Sequence, residues 1–370
     1  MSSKQRGSIY KRGDGRWCAA LRLEDGRRKT FYGWKQREVQ DKLDAAKASI
    51  KAGTFAKGRS PLLVQFLAAW LRDSVKPSVA PATYRSYAGL TENHIAPALG
   101  SVTLERLTPQ HVQQLLNASS ASGSSSQTVW HIRAVLRAAL NQAVKWQLVS
   151  RNVASMAKPP RVKRYEHRAF APDEARRFLA AIRGDRLEAL YVTAVSTGLR
   201  QGELLGLQWS DLDLDKGFVT VRQQLQRIDG RLSLVELKSE SSRRTVMLTA
   251  DTVLALRDRQ AGQRVEKLAQ RKRWKETGLV FTTPIGTPLE GPNVTKGFQK
   301  LLRSAKLPER RFHDLRHSTA TLLLVQGVSP KVVQAILGHS SIRLTMDTYS
   351  HVVPELQRDA AEKMQAVLQR

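Results

Sequence analysis

The chain has 370 residues, enough for two or three domains of about 100–200 residues, and its 41% hydrophobic and 25% charged residues are ordinary globular usage. A net charge of +29 predicts a polyanionic partner, most simply nucleic acid, with a generally basic, well-solvated surface as the plainer alternative. The sequence has no apolar run near the ~18 residues of a membrane span, no signal-peptide core and a single cysteine, Cys18. We therefore expect a soluble cytoplasmic protein without a disulfide framework or a multi-cysteine zinc site.

The positive charge is spread along the whole chain. Residues 1–60, 61–165 and 166–370 carry net charges of +10, +9 and +10. A single basic tail would concentrate the charge in one of these segments. The distribution instead favours a long polyanion that contacts all three.

The N-terminal residues are typical of a small α+β domain. Strand-like runs at 8–12, 17–23 and 29–32 are separated by Asp-Gly pairs, which favour tight turns. Residues 35–50 then have helical spacing with few breakers. Three strands and a helix are only marginally stable at this size. Residues 52–61 are predicted to be a linker.

The next segment, residues 62–157, is predicted to be entirely helical. Within it, the polar, serine-rich run 118–126 is expected to be an exposed loop. Residues 158–165 form a basic, proline-stiffened linker that either lies along a phosphate backbone or is a plain solvated hinge. The helix signals lie at 62–71, at Pro81, at the N-cap Thr108 followed by Pro109, and at 127–146.

The last segment, residues 166–370, mixes helices with strands, and from Leu315 onward it is largely helical. The predicted helices are 172–182 and 187–196, and the predicted strands are 218–222 and 233–237, around a turn at Asp229-Gly230, and 244–248. The fold class is therefore multidomain α+β. It comprises a small three-stranded sheet with a helix, an all-helical domain, and a mixed, mainly helical domain with a small antiparallel sheet.

Two segments of the last domain could carry chemistry. Arg200 lies at a glycine-flanked corner after an apolar helix, where an exposed helix-end arginine is the plainer interpretation. His313, Arg316 and His317 share one helical face, and three such donors repel each other unless an anion binds there. The two histidines could instead hold zinc, but no carboxylate or thiol of suitable spacing completes that site. His317 could also pack beneath the helix.

Residues 315–326 and 330–337 are typical of a helix-turn-helix, which alone would predict a DNA-binding regulator. Ser329 is the expected N-cap, Pro330 the first helical position and Gly338 the residue that ends the second helix. Buried packing is the plainer interpretation, because the anchor positions are apolar: Leu322, Leu323, Val332, Val333 and Ile336.

His339 follows the second helix, and Tyr349 follows ten residues later. Alone, Tyr349 would be a core or surface residue, and Lys238 would be one solvated lysine among many. Together, two arginines, two histidines, a lysine and a tyrosine in a basic protein fit phosphoryl transfer on DNA without a metal. The arginines would stabilise the transition state, the tyrosine would be the nucleophile, and Lys238 would protonate the leaving 5′ oxygen.

Four segments, in order, resemble the tyrosine recombinase (phage integrase) family: residues 197–211, 313–318, 337–339 and Tyr349. The stretch 238–245 is also similar to the family's β-hairpin lysine segment, although Arg243 and Arg244 lie close to Lys238.

The resemblance implies a role for each matched residue. Tyr349 attacks the scissile phosphate and forms a 3′-phosphotyrosyl bond. The other implied roles are phosphate binding by Arg200 and Arg316, proton transfer and phosphate binding by His313, a phosphate hydrogen bond from His339, protonation of the 5′ oxygen by Lys238, and orientation of Arg200 by Glu203.

The resemblance also implies three domains: residues 1–56 for arm-type DNA, 62–157 for core DNA and 166–370 for catalysis. The expected function is site-specific recombination that integrates or excises a phage or mobile element, with no cofactor or metal. The implied partners are double-stranded DNA with core and arm-type sites, three further protomers in a tetramer, and an excisionase or DNA-bending accessory protein. The expected location is the nucleoid of a bacterial cell.

Two questions stay open at the level of sequence. The tail 353–370 has helical spacing and packs either on a neighbouring protomer or on its own domain. The alternative functions are a non-catalytic DNA-binding regulator and a type IB topoisomerase-like nicking–closing enzyme. The filled catalytic set argues against the regulator, and the separate basic N-terminal domain argues against the topoisomerase.

Overall fold

The computed structural model describes most of the chain, in two compact units, Met1–Arg164 and Tyr165–Arg370. The three-domain division at 1–56, 62–157 and 166–370 stays a prediction. In the part of the chain that is described, no helix is both long enough and apolar enough to cross a membrane. The described residues are 7–22, 28–51, 60–162, 168–228, 230–237, 242–349, 361–362 and 364–368.

The N-terminal residues form the predicted sheet and helix. Strands β1 (Gly7–Lys11), β2 (Trp17–Arg22) and β3 (Arg28–Gly33) pair antiparallel in that order, and helix α1 spans Gln36–Lys51. Alternate residues of β2 face the helix, because side chains along a strand point to opposite faces. The resulting small core comprises Ala19, Leu21, Val39, Leu43 and Ala46. Of the predicted linker 52–61, residues 52–59 lie outside the described residues.

The remainder of the first unit is helical, as predicted. The hydroxyl of Thr108 accepts a hydrogen bond from the backbone N–H of His111 at 3.2 Å, which confirms the predicted N-cap. In the helix predicted at 127–146, apolar residues at helical spacing, such as Ile132 and Leu136, are fully buried. The α-helices are α2 (Leu63–Trp70), α3 (Pro81–Leu90), α4 (Ala96–Leu99), α5 (Pro109–Ala121) and α6 (Ser126–Lys145), and π-helical segments continue α2 over Leu71–Val75 and α3 over Thr91–Ile95.

The serine-rich run 118–126 is a loop only at 122–125, so that prediction was wrong for its first four residues and for Ser126, which begins α6. Helix α5 continues to Ala121, and Ser119 within it is buried. Serine side chains can hydrogen-bond nearby backbone carbonyls, so a polar run does not by itself end a helix. Here the hydroxyl of Ser122 donates to the carbonyl of Ser119 at 2.9 Å, and the chain turns only at Gly123, where φ is +88°.

The second unit surrounds a core rich in aromatic side chains, in which Phe178 contacts Phe170, Tyr191 and Phe298 at ring-centroid distances of 5.3–6.0 Å. Its first helices are α7 (Pro172–Ala181), α8 (Glu188–Thr197) and α9 (Gln201–Leu205). Its later helices are α10 (Ala250–Gln270), α11 (Gly291–Ser304), α12 (Asp314–Val325), α13 (Pro330–Leu337) and α14 (Ile342–Tyr349).

Two small antiparallel sheets complete the second unit. One has the order β4 (Leu212–Asp213), β5 (Phe218–Val221) and β8 (Arg244–Met247), and the other pairs β6 (Gln223–Ile228) with β7 (Arg231–Glu236). The strand that pairs with β7 across the predicted turn is thus β6, which was not predicted. Its sequence is mostly polar and lacks the alternation that marks a strand.

The predicted helix pair near the C-terminus is confirmed as α12 and α13. Ser329 caps α13, and Gly338 ends it in the left-handed conformation at φ +65°. The apolar faces of the two helices are used for packing, through Ala320, Leu324, Val333 and Leu337. Val332 was expected in this core but is 48% exposed, because it precedes the buried position on the helix and faces the other side.

Candidate active site

Arg200 is positioned by the sharp corner between α8 and α9. Gly198 makes this corner at φ +63°, and a Cβ there would lie only 2.4 Å from a methyl carbon of Leu337. Arg200 then forms the N-cap of α9 with its side chain 36% exposed. Its backbone N–H and its Nη1 donate to the two carboxylate oxygens of Glu203, at 3.0 and 2.6 Å. The structure thus brings these two predicted residues together.

Glu203 is fully buried between two arginines. Its Oε1 accepts from Arg200, and its Oε2 accepts from Nη2 of Arg244 at 2.9 Å. Burial alone would raise the pKa of this carboxyl, but the charge of Arg244 and the hydrogen bonds from both arginines lower it below its ordinary value. Glu203 is therefore an ionised anchor that holds both guanidinium groups.

Arg244 uses all three of its nitrogens in hydrogen bonds within the fold. Besides the bond to Glu203, its Nε donates to the Ile336 carbonyl at 2.6 Å and its Nη1 donates to the Ser242 carbonyl at 3.1 Å. Its side chain is only 6% exposed. Arg243 lies beside it in sequence but is exposed and pairs with Glu236 at 2.7 Å. Lys238 lies outside the described residues, so its place in the hairpin stays a prediction.

Arg316 lies in α12 and is 3% exposed. Its Nη1 donates to the Gly198 carbonyl at 2.9 Å, and its Nη2 donates to the Leu337 carbonyl at 2.6 Å. Burial, followed by the charges of Arg200 and Arg244, lowers the pKa of Arg316 to about 9. The guanidinium is therefore still a cation at neutral pH, held in a fixed orientation.

The C-terminal end of α13 gathers all three arginines. This end of a helix has unpaired carbonyls and a partial negative charge, which favours cations. Three consecutive carbonyls each accept a hydrogen bond from a different arginine: Ile336 from Arg244 at 2.6 Å, Leu337 from Arg316 at 2.6 Å and Gly338 from Arg200 at 3.5 Å. One helix end thus sets the spacing of the cationic cluster.

His339 is the next residue of the chain after this row of carbonyls. Its Nδ1 lies 2.9 Å from the hydroxyl oxygen of Thr345 in α14. Burial, followed by the charges of Arg316 and Arg200, lowers the pKa of His339 to about 4. The imidazole is therefore neutral at neutral pH and has one donor and one acceptor nitrogen.

His313 is exposed and forms the N-cap of α12, one turn before Arg316. Its ring meets that of His317 edge to face, with centroids 5.2 Å apart, and His317 is half-buried. The alternative of a zinc site gains no support: across the described ranges, no three His, Cys, Asp or Glu side chains are grouped so as to hold a metal ion.

Tyr349 is the last residue of α14, and its side chain lies outside the described residues. Helix α14 packs against α12 and α13, which carry Arg316 and the row of carbonyls. Two contributors were not singled out from the sequence. Thr345 carried no distinguishing pattern. Arg244 was noted only as lying close to Lys238, because its hydrogen-bond partners are 41 and 92 residues away in the sequence.

The two adjacent arginines give a test of this arrangement. We expect Arg244→Gln to lower the free energy of unfolding by about 3 kcal/mol, because it removes one partner of a buried ion pair. Arg243→Gln, the matched control, removes an exposed pair and should change it by less than about 1 kcal/mol. Urea unfolding followed by circular dichroism measures both. Equal losses in the two variants would contradict the buried role of Arg244.

Comparison with known proteins identifies the class to which this fold and cluster belong. The phage integrase family matches residues 168–355, half of the chain, and the SAM-like N-terminal domain of phage integrases matches residues 62–119. The chain therefore belongs to the phage integrase family of tyrosine recombinases.

Among its relatives is the tyrosine recombinase XerC-like protein of Caldanaerobacter subterraneus, which is 31% identical and is matched over 93% of both chains. The ICEBs1 integrase of Bacillus subtilis is 26% identical, over 78% of both chains. The Tn1549 transposon integrase, in complex with transposon end DNA, has a similar fold with a TM-score of 0.70 at 23% identity, covering 82% of this chain and 99% of that one. Lambda integrase, as a dimer on a core site, has a TM-score of 0.60 at 19% identity, covering 94% and 96%.

Proposed function

We propose that the protein is an integrase that cleaves and rejoins DNA strands through Tyr349, and so integrates or excises a phage or mobile element. The observation that carries this proposal is the fixed cluster of Arg200, Arg316 and His339 at the end of α13, followed ten residues later by a tyrosine. A phosphodiester has one negative charge and two non-bridging oxygens. Two arginine cations and a neutral imidazole at the same helix end can bind such a group through charge and hydrogen bonds.

The reaction follows from these groups. The Tyr349 oxygen attacks the scissile phosphorus, the bond to the 5′ oxygen breaks, and a 3′-phosphotyrosyl ester forms. Lys238 supplies the proton that the leaving 5′ oxygen takes up, and His313 assists removal of the tyrosine proton. A 5′-hydroxyl from the partner duplex then attacks the ester and releases the tyrosine. The number of phosphoester bonds is unchanged, so the reaction requires neither a nucleotide cofactor nor a metal.

Both arginines are already oriented before negative charge builds up on the phosphate oxygens in the transition state. The two carbonyl contacts of Arg316 use two of its five N–H groups, and the others are available for a phosphate oxygen. Arg200 forms an ion pair with the buried Glu203, and the Arg200 side chain is itself 36% exposed. Donors that need no reorganisation stabilise the pentacoordinate transition state more than the ground state.

The proposed partners are double-stranded DNA and further copies of this chain. Exchange of strands between two duplexes needs four cleavages, and lambda integrase has been solved as a tetramer bound to a Holliday junction. The described apolar residues of the C-terminal tail, Met364, Val367 and Leu368, are 58%, 70% and 74% exposed, as packing on a neighbouring protomer would require. We infer action at the bacterial nucleoid, with an excisionase or a DNA-bending protein setting the direction.

A test of this function uses nicked duplexes tiled across the DNA that flanks the protein's own gene. We expect one of them to form an SDS-resistant protein–DNA adduct in buffer without added metal. A DNA-binding regulator would form none. A topoisomerase-like enzyme would form the adduct and relax supercoiled DNA, but would not join strands of two different duplexes.

The N-terminal sheet has a face that fits a second DNA site. Tyr10 and Tyr32 are both exposed on strands β1 and β3, and the guanidinium carbons of Arg12 and Arg16 lie 5.4 and 5.9 Å from the Tyr32 ring centroid. Exposed tyrosine rings with arginines over one of them suit a nucleic acid, although Arg16 also pairs with Asp14 at 2.7 Å. Removing residues 1–56 should therefore spare cleavage of a core site but impair recombination of a full attachment site, measured by a plasmid recombination assay. Normal recombination by the shortened protein would refute arm binding.

A further inference from the structure

The contact between α14 and His339 suggests a role for a residue outside the set predicted from the sequence. Thr345 is fully buried, and its hydroxyl oxygen lies 2.9 Å from Nδ1 of His339. It is six residues after His339 in the chain and one helical turn before Tyr349 in α14. One hydroxyl therefore joins the helix that bears the tyrosine to the imidazole beside the arginine cluster.

The contact between Thr345 and His339 can select the tautomer of the neutral imidazole. Only one of its two nitrogens carries a proton, and the partner of the other nitrogen decides which one. When the hydroxyl of Thr345 donates to Nδ1, the proton of His339 is on Nε2. Nε2 is then a hydrogen-bond donor, which a phosphate oxygen can accept. In the opposite tautomer, Nε2 would present a lone pair to an anion, and the two would repel each other.

The surroundings of His339 keep its imidazole neutral. The charged or titratable groups that act on this ring are Arg316, Arg200, Arg244 and His317, which disfavour a second proton on the imidazole. His339 therefore cannot become a donor on both nitrogens simply by taking up a proton. A hydrogen-bond donor at Nδ1 favours the tautomer that can donate to the phosphate from Nε2.

We propose that Thr345 is a positioning residue that fixes His339 as an Nε2–H donor and couples docking of α14 to assembly of the phosphate site. This proposal rests on the proposed function. Its consequence is that the transition-state contact of His339 is complete only when the helix that bears Tyr349 is in place. A protomer whose α14 is undocked then has neither nucleophile nor correctly oriented imidazole.

Two substitutions separate the hydroxyl from the shape of the side chain. Thr345→Val keeps the volume and removes the hydroxyl, whereas Thr345→Ser keeps the hydroxyl. On the nicked duplex that the wild-type protein cleaves best, we expect Val to slow single-turnover cleavage about tenfold, the net worth of one hydrogen bond. Ser should stay within about threefold of the wild-type rate, and the affinity for DNA should be unchanged in both.

Testing Thr345→Val in a protein that also carries His339→Gln distinguishes a positioning role of Thr345 from a general structural one. In a His339→Gln protein, Thr345→Val should have almost no further effect, because the group that it orients has been removed. An equal tenfold loss in both backgrounds would overturn the proposal, as would a wild-type rate for Thr345→Val. If the wild-type protein formed no adduct, the proposed function would fail, and that outcome is distinct from either of these.

A measurement on the unaltered chain keeps the proposal testable even if Thr345→Val does not fold. Nitrogen-15 NMR of histidine-labelled protein reports the tautomer of each imidazole. We expect His339, assigned by its loss in His339→Gln, to be the Nε2–H tautomer. A predominant Nδ1–H form would refute the proposal.

Discussion

Tyr349→Phe is expected to abolish the SDS-resistant DNA adduct while leaving DNA binding intact. The change removes one oxygen atom, and no other group of the proposed site can form a phosphotyrosyl ester in its place. Loss of a nucleophile typically costs about 10⁴-fold or more in rate, so cleavage should fall below detection. The measurement is gel electrophoresis of labelled nicked duplex in SDS, with binding followed in parallel by mobility shift.

The matched control for this variant is Tyr191→Phe, which makes the same chemical change within the buried aromatic core of the same unit. It should retain cleavage within a few-fold of the wild-type rate, because Tyr191 has no place in the proposed chemistry. An adduct that persists in Tyr349→Phe at the wild-type level would place the nucleophile elsewhere. Loss of DNA binding in that variant would instead show that Tyr349 is needed for the fold.

The parts of the fold that follow from neighbouring residues could be predicted from the sequence. Thr108, Ser329 and Gly338 begin or end helices as expected, because a cap depends on three or four adjacent residues. The end of α5 and the polar strand β6 were not predicted, since packing against other elements decides them. Composition and serine content say little about such packing.

The candidate site shows the same limit. The contact between Arg200 and Glu203 spans three residues, and its orienting role could be proposed from the resemblance alone. The bond from Arg244 to the Ile336 carbonyl spans 92 residues and uses a backbone acceptor, which leaves no trace in side-chain identity. The common dependence of three arginines on the end of α13 is therefore a property of the folded chain.

The net charge of +29 also acquires a more specific meaning. Arg259 and Arg310 are buried and bond to Glu266 and Glu174, so they stabilise the second unit rather than contact DNA. The net charge includes these buried arginines as well as the cations that contact DNA phosphates. The salt dependence of DNA binding should accordingly reflect exposed cations only, since counterion release requires direct contact with the backbone of DNA.

Arg316→Lys is the second substitution with a large expected effect. Lysine keeps the positive charge but cannot donate to the Gly198 and Leu337 carbonyls and to a phosphate oxygen at once, because its ammonium is a compact group without the planar fork of arginine. We expect single-turnover cleavage to fall about 10²- to 10³-fold, or roughly 3–4 kcal/mol of transition-state stabilisation. The measurement is the rate of adduct formation at saturating protein.

The variant will also be less stable, so its control must be another buried arginine. Arg310 is 5% exposed and donates to Glu174 and to the Arg168 carbonyl, and it has no place in the proposed chemistry. Arg310→Lys should lower the unfolding midpoint comparably, yet the folded protein should cleave within a few-fold of the wild-type rate. If both variants lost cleavage equally, the effect of Arg316→Lys would be explained by lower stability alone. A selective loss in Arg316→Lys would show that the end of α13 holds this arginine for the phosphate.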